Sequence, residues 1–171
     1  MAATRKLRGF LDGKNNYDTN QVTSIQKAVN KEENPTKIKH VRSIIISTHH
    51  EQGSSTFWST VCKLPLQSSG PLCWKFCHVL HKVIREGHNN CIFDSMRYLT
   101  WLEDLSKVWS HLPENFGPVN AHYLKMLTNR LTFHKKHIKI PGNLEIKDQL
   151  LAEITGHEAN GYFEFALSFW I

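Results

Sequence analysis

Residues 71–86 leave this chain few ways to fold. Pro71 suits the first turn of a helix, because its missing amide hydrogen would have had no partner there, and Gly87 is favoured just beyond a helix end. Between them, apolar side chains recur at helical spacing over a wide arc: Leu72, Cys73, Phe76, Cys77, Val79, Leu80, Val83 and Ile84. Such an arc predicts a central helix with neighbours on several sides.

The rest of the chain has the same 3.6-residue period, and no segment alternates like a strand. We predict further helices over about 22–30, 35–49, 56–63, 90–112, 118–134, 147–154 and 160–171. The chain has 171 residues, 40% of them hydrophobic, which suffices for one core. We therefore predict an all-α domain of seven or eight helices stacked as antiparallel pairs.

The two ends of the chain differ from its middle. Residues 1–18 carry Arg5, Lys6 and Arg8 between apolar residues, and we expect a disordered basic arm there. A mitochondrial presequence is the less favoured alternative, because Asp12-Gly13 interrupts the pattern early. Residues 19–171 form the predicted domain, which we expect to be incomplete at its C-terminal end because the last helix stops in an apolar run without a cap.

The composition favours an anionic partner and an intracellular protein. The formal net charge is +6, with eleven histidines besides. No apolar run approaches the roughly 20 residues that span a bilayer. Four cysteines without a secretory leader predict a reducing compartment. Nucleic acid is a weak alternative, because no known DNA- or RNA-binding motif is present.

One basic stretch has a geometry of its own. Lys27 and Lys31 are one helical turn apart near the end of the first predicted helix, and Lys37, Lys39 and His40 open the second. Asn34-Pro35 predicts the start of that second helix. A helix N-terminus is partly positive and disfavours cations by roughly 0.3–1 kcal/mol each. The amides and ammonium groups together therefore predict a phosphate-rich ligand. An ordinary solvated basic turn is the alternative.

Other clusters gave weaker hypotheses. Cys73, Cys77 and His81 share one helical face and could hold zinc with His49 or His50, but one straight helix rarely surrounds a metal, so core packing is favoured. A second basic run closes a later helix: His134, Lys135, Lys136, His137 and Lys139. It suits the helix dipole and is typical of a solvated helix end. We found no hydrolase motif or glycine-rich phosphate loop, so we expect no enzyme and no cofactor.

Six segments of the chain carry a recognisable pattern: Gln26–Asn30, Lys37–His40, Ser47–Ser59, Leu64–Leu66, Leu72–His88 and Pro141–Ile146. The most specific of them contains the block WKFCHVLHK. Over about residues 22–165 the chain resembles the ANTH domain of the huntingtin-interacting protein 1 and Sla2 family of endocytic adaptors.

The resemblance implies a right-handed α-helical solenoid of ENTH/ANTH type that binds phosphoinositides, chiefly phosphatidylinositol 4,5-bisphosphate, on the cytoplasmic face of the plasma membrane. By motif match the head group would be held by Lys27 or Lys31 together with Lys37, Lys39 and His40. Full-length family members act in clathrin-coated pits and vesicles and bind clathrin, adaptor proteins and F-actin through regions that this sequence does not contain.

Three alternatives stay open. The turn between the first two helices is shorter than in clathrin-assembly relatives, so either Lys27 or Lys31 could reach a phosphate, and 3-phosphorylated lipids could be the preferred ligands. A different class of function, a helical protein-interaction domain with an incidental basic patch, is the alternative to lipid binding. In that case the basic side chains should point apart or pair with Glu32 and Glu33.

Overall fold

A computed structural model of the chain describes residues 19–112 and 115–168. Every regular element within these residues is a helix, so the all-α prediction is confirmed. The described helices are α1 (19–28), α2 (Ile38–Glu51), α3 (Ser55–Val61), α4 (Gly70–Glu86), α5 (Asn90–Met96), α6 (Leu99–Ser110), α7 (Gly117–Lys136), α8 (Asp148–Thr155) and α9 (Ala159–Ser168). The basic arm predicted over residues 1–18 lies outside the described residues.

Helix α4 occupies the centre, as its apolar arc predicted. It packs against α2, α5 and α7, and Phe76, Cys77, Val79 and Leu80 are completely buried. Pro71 lies in its first turn and Gly87 is its C-cap residue. A Cβ at Gly87 would lie 2.4 Å from the carbonyl oxygen of Val83, so this position requires glycine.

The predicted long helix over residues 90–112 is divided in two. The break lies at Arg97 and Tyr98, between α5 and α6. Tyr98 stacks on the buried Trp58 with the ring centroids 4.0 Å apart, and the Trp58 indole N–H donates to Ser95 Oγ at 3.2 Å. Tertiary packing around this tryptophan explains a break that periodicity alone does not predict.

Candidate anion-binding site

Helix α1 lies alongside the first half of α2. Ile25 of α1 and Val29, which follows its last residue, are buried in the core, and the Ser24 hydroxyl donates to Ser43 Oγ of α2 at 3.0 Å. This pairing leaves Lys27 exposed on the outer side of α1, next to the beginning of α2.

Helix α2 begins three residues later than the sequence predicted. Its first residue is Ile38 and its N-cap residue is Lys37, which has extended backbone angles (φ −67°, ψ 118°) and makes no capping hydrogen bond through its side chain. The first turn contains no acidic residue. The predicted cap, Asn34, was wrong, because its side chain is used elsewhere in the turn. The N-terminal amides of α2 therefore lack a side-chain acceptor.

The turn between α1 and α2 is held by two asparagines. Asn30 Nδ2 donates to the Lys27 carbonyl at 2.9 Å, and Asn30 Oδ1 accepts the Glu32 amide at 3.1 Å. Asn34 Nδ2 donates to Glu32 Oε2 at 2.8 Å. The ammonium group of Lys75 donates to both asparagine Oδ1 atoms, at 2.7 Å to Asn30 and 3.3 Å to Asn34. One lysine of the central helix α4 thus anchors the whole turn.

Lys75 is the residue that the sequence analysis missed. Its side chain is only 2% exposed, and burial lowers its pKa, which the negative charge of Glu32 partly offsets. A lysine amid the apolar arc of α4, between Leu72 and Phe76, is the signal that could have found it. A buried ammonium group needs hydrogen-bond acceptors, and the two asparagines supply them.

The turn and the two helix ends enclose a cavity of about 460 Å³, which we name the basic pocket. Four of the five predicted site residues line it: Lys27, Lys37, Lys39 and His40. Lys31 is exposed and is not among the lining residues. The complete lining is Gln26, Lys27, Asn30, Glu32, Asn34, Pro35, Thr36, Lys37, Lys39 and His40.

The electrostatics of the basic pocket are unbalanced. Burial lowers the pKa of His40, and the charges of Lys39, Lys27 and Lys37 lower it further, in that order. Within the described residues, none of these three lysines pairs with a carboxylate. Clustered cations without counter-ions repel each other in the free protein, and a polyanion would relieve that repulsion.

The donors around the basic pocket suit phosphate oxygens. Ammonium groups, an imidazole and the free amides of α2 are all donors to anions. The Thr36 hydroxyl, buried in the lining, has no hydrogen-bond partner among the residues that the structure describes. The one acidic lining residue, Glu32, accepts a hydrogen bond from Asn34 Nδ2. The chemistry of this lining therefore suits an anionic ligand.

The residues of the zinc hypothesis serve the core and helix packing. Cys73 and Cys77 are completely buried among apolar neighbours. His81 Nδ1 lies 3.2 Å from Tyr123 Oη, and Nε2 lies 3.3 Å from Arg130 Nη1. His49 Nε2 lies 3.1 Å from the Glu86 carbonyl oxygen. Among the described residues, no group of three or more His, Cys, Asp or Glu side chains has the arrangement of a metal site.

The second basic run lies at the C-terminal end of α7 and after it. Lys135 and Lys136 occupy the last turn, where the helix dipole favours cations. Lys139 forms an ion pair with Glu153, and His137 Nε2 lies 2.9 Å from Ser168 Oγ. The helix dipole and the ion pair with Glu153 therefore offset part of its charge.

Comparison with known proteins places these features in a family. The family model described as "ANTH domain" matches residues 20–164. Human "Huntingtin-interacting protein 1" is 44% identical over 151 residues, which is 88% of this chain and 15% of that protein. The "Huntington interacting protein related 1" of Caenorhabditis elegans is 39% identical over 148 residues, 86% of this chain and 16% of that protein. The chain thus spans less than a fifth of these relatives.

Solved structures share the fold. The ENTH domain of epsin-2, determined in complex with phosphatidylinositol 4,5-bisphosphate, superposes with a TM-score of 0.80 at 28% identity, over 90% of this chain and 60% of that one. A structure of the endocytic adaptor complex AENTH gives a TM-score of 0.77 at 24% identity, over 90% of this chain and 62% of that one. Among the described residues, no helix is long and apolar enough to cross a bilayer.

Proposed function

Because the chain belongs to the ANTH domain family, we propose that it is a phosphoinositide-binding module that recruits an endocytic adaptor to the plasma membrane. The ligand is the head group of phosphatidylinositol 4,5-bisphosphate, held by Lys27, Lys37, Lys39 and His40 without catalysis. Lys27, and not Lys31, supplies the contact from the first helix.

The observation that carries this proposal is the convergence of four cationic or titratable donors on one pocket at an uncapped helix start. A domain that only interacts with proteins has no need to concentrate unpaired cations where the helix dipole disfavours them. The complex of the epsin-2 ENTH domain with the same lipid supports the ligand class.

The expected strength of binding requires direct phosphate contacts. Each basic residue near an anionic leaflet contributes about 1 kcal/mol, so three lysines of the pocket supply about 3 kcal/mol, weaker than millimolar attachment. Charge-assisted hydrogen bonds to phosphate oxygens add the rest. Several modules on one membrane would increase the apparent affinity further.

The longer relatives of this chain suggest where in the cell such a module acts. We infer that a full-length protein containing this module acts in clathrin-mediated endocytosis, on the cytoplasmic face of coated pits and vesicles. Binding of clathrin, adaptor proteins and F-actin belongs in this proposal to regions outside these 171 residues.

A second candidate function is a protein-interaction domain, and exposed apolar side chains favour it. Phe163 of α9 is 65% exposed, and Tyr162 and Leu167 of the same helix are about 40% exposed. Exposed apolar side chains grouped on one helix are typical of a surface that a partner covers. This surface is remote in sequence from the basic pocket, so the two functions are compatible.

Liposome co-sedimentation tests the lipid proposal. Vesicles of phosphatidylcholine, alone or with phosphatidylinositol 4,5-bisphosphate or a 3-phosphorylated lipid, are mixed with the wild type and with Lys37→Glu/Lys39→Glu. The matched control is Lys135→Glu/Lys136→Glu, which changes the net charge equally on the exposed end of α7. We expect lipid-dependent pelleting that only the pocket variant loses, by about a hundredfold in affinity.

Two outcomes would contradict the proposal. Equal pelleting of all three proteins would mean that the pocket is ordinary surface. An equal loss in both variants would mean that net charge, and not the pocket, attracts the vesicles. Stronger pelleting with a 3-phosphorylated lipid would retain the site and change the preferred ligand.

A further inference from the structure

Ile38 is an isoleucine placed where the fold gives it almost no packing. Its side chain is 82% exposed, the highest value among the exposed large hydrophobic residues of the described chain. It is the first residue of α2, between Lys37 and Lys39, which both line the basic pocket. A single exposed apolar residue is common on protein surfaces, so its surroundings decide whether it has a role.

Three basic residues lie close to Ile38 along the chain. Lys37 and Lys39 flank it, and Arg42, one helical turn later, is exposed on the same side of α2. The first turn of α2 contains no acidic residue. An exposed apolar side chain flanked by cations suits the interface of an anionic membrane, where the cations contact head groups and the apolar residue enters the acyl boundary.

We propose that Ile38 inserts into the lipid surface when the basic pocket holds a head group. This inference rests on the proposed function and deepens it, because Ile38 would contact the bilayer around the bound lipid and not the head group itself. The pocket then binds the inositol phosphate, and the contact of Ile38 with the bilayer favours a lipid in a membrane over the same head group free in solution.

The position of Ile38 between two residues of the basic pocket is consistent with its insertion beside a bound head group. Two pocket residues adjoin it directly, so a head group bound between them places the bilayer surface within reach of the isoleucine side chain. Both lysines also carry long aliphatic stems, which can lie along the interface while their ammonium groups contact phosphate.

The test separates the bilayer from the head group. Binding of soluble inositol 1,4,5-trisphosphate is measured by calorimetry, and binding to phosphatidylcholine vesicles containing phosphatidylinositol 4,5-bisphosphate is measured by co-sedimentation, for the wild type and Ile38→Ala. Alanine has a higher helix propensity than isoleucine, so the variant should fold. We expect unchanged binding of the soluble head group and about tenfold weaker binding to vesicles, because three fewer carbon atoms enter the interface.

Ile138 provides a matched control. It is 66% exposed and lies between His137 and Lys139, outside the basic pocket. Ile138→Ala should bind both ligands like the wild type, and Ile38→Leu should retain vesicle binding because the apolar volume is kept.

Four results would overturn the inference. Vesicle binding of Ile38→Ala equal to the wild type would show that the side chain stays in water, or serves a protein partner. An equal loss for the soluble head group and vesicles would make Ile38 a part of the pocket. An equal loss in Ile138→Ala would remove the specificity. If the wild type binds neither ligand, the proposed function itself fails, which is distinguishable because the variants then do not differ from it.

Discussion

The basic pocket and the basic run at the end of α7 are similar in composition and opposite in placement. The pocket has Lys37, Lys39 and His40 at the beginning of a helix, where the dipole disfavours cations. The run has Lys135 and Lys136 in a last turn, where the dipole favours them. Charge alone therefore does not indicate a binding site. Position relative to the helix end distinguishes an unsatisfied cluster, which gains from a ligand, from one that the fold already stabilises.

The surroundings of the two regions reinforce the difference. In the pocket, the described lysines lack carboxylate partners and the supporting lysine, Lys75, is buried beneath the turn. In the run, Lys139 pairs with Glu153 and His134 is only 1% exposed. The run is thus tied into the structure of the domain through its own residues, whereas the turn beside the pocket is held by Lys75 of α4.

The largest expected difference between the two regions is a loss of folding stability in acid, caused by His134 of the basic run. Burial lowers the pKa of His134 to about 4, and the charge of Arg130 contributes. The unfolded chain, with an ordinary histidine pKa, binds more protons between about pH 6.5 and 4, so stability is complete at neutral pH and is lost as the pH falls through this window. We expect His134 to contribute about 2 kcal/mol of the loss between pH 7.5 and 5.

Urea unfolding at both pH values checks this contribution. His134→Leu should lose less stability on acidification than the wild type, whereas His122→Gln, an exposed position on the same helix, should lose as much. Equal losses in the wild type and His134→Leu would mean that a lowered pKa of His134 does not cause the loss of stability in acid.

Charge reversal should change stability with opposite signs in the two regions. Lys37→Glu/Lys39→Glu places carboxylates at a helix start and relieves repulsion from Lys27, so we expect the free energy of unfolding to rise by about 1 kcal/mol. Lys135→Glu/Lys136→Glu places them at a helix end, and we expect a fall of about 1 kcal/mol. Denaturant unfolding at low salt measures both. Changes of the same sign would mean that net charge dominates over the helix dipoles, and the comparison between the regions would fail.

Much of this architecture could be predicted from the sequence. The apolar arc around Phe76 identified the central helix, and the spacing of Lys37, Lys39 and His40 grouped residues that line one pocket. The predictions that were wrong concerned features that depend on tertiary contacts. Asn34 was expected to cap α2, but a lysine more than forty residues away uses its side chain. Likewise, the break between α5 and α6 follows from the packing of Trp58, which periodicity does not record.

Lys75 provides the next test, because it is the buried anchor of the turn beside the basic pocket. Lys75→Met retains an apolar stem of similar length and removes the hydrogen bonds to Asn30 and Asn34. We expect the domain to fold and the affinity for inositol 1,4,5-trisphosphate to fall about tenfold, because the turn between α1 and α2 loses its anchor and must be ordered on binding. Calorimetry measures the affinity, and circular dichroism checks the fold.

Lys82→Met is the control on the same helix, since Lys82 is half-exposed and pairs with Glu86. It should bind like the wild type. Full affinity in a folded Lys75→Met protein would show that the turn keeps its shape without this ammonium group.

The smallest expected effect is a pH dependence of ligand affinity, which distinguishes His40 of the basic pocket from His137 of the basic run. In the free protein, burial and the neighbouring lysines lower the pKa of His40. A bound phosphate attracts the imidazolium form and raises that pKa, so the complex binds more protons than the free protein and affinity rises as the pH falls from about 7.5 to 6. We expect a gain of about threefold in affinity from this group.

Phosphate groups also titrate in this range, so the quantity to measure is the difference between the wild type and His40→Gln in calorimetric titrations with inositol 1,4,5-trisphosphate. His137→Gln, in the basic run, should keep the pH profile of the wild type. Identical profiles for all three proteins would mean that His40 lines the pocket without contacting phosphate, and that the lysines alone hold the ligand.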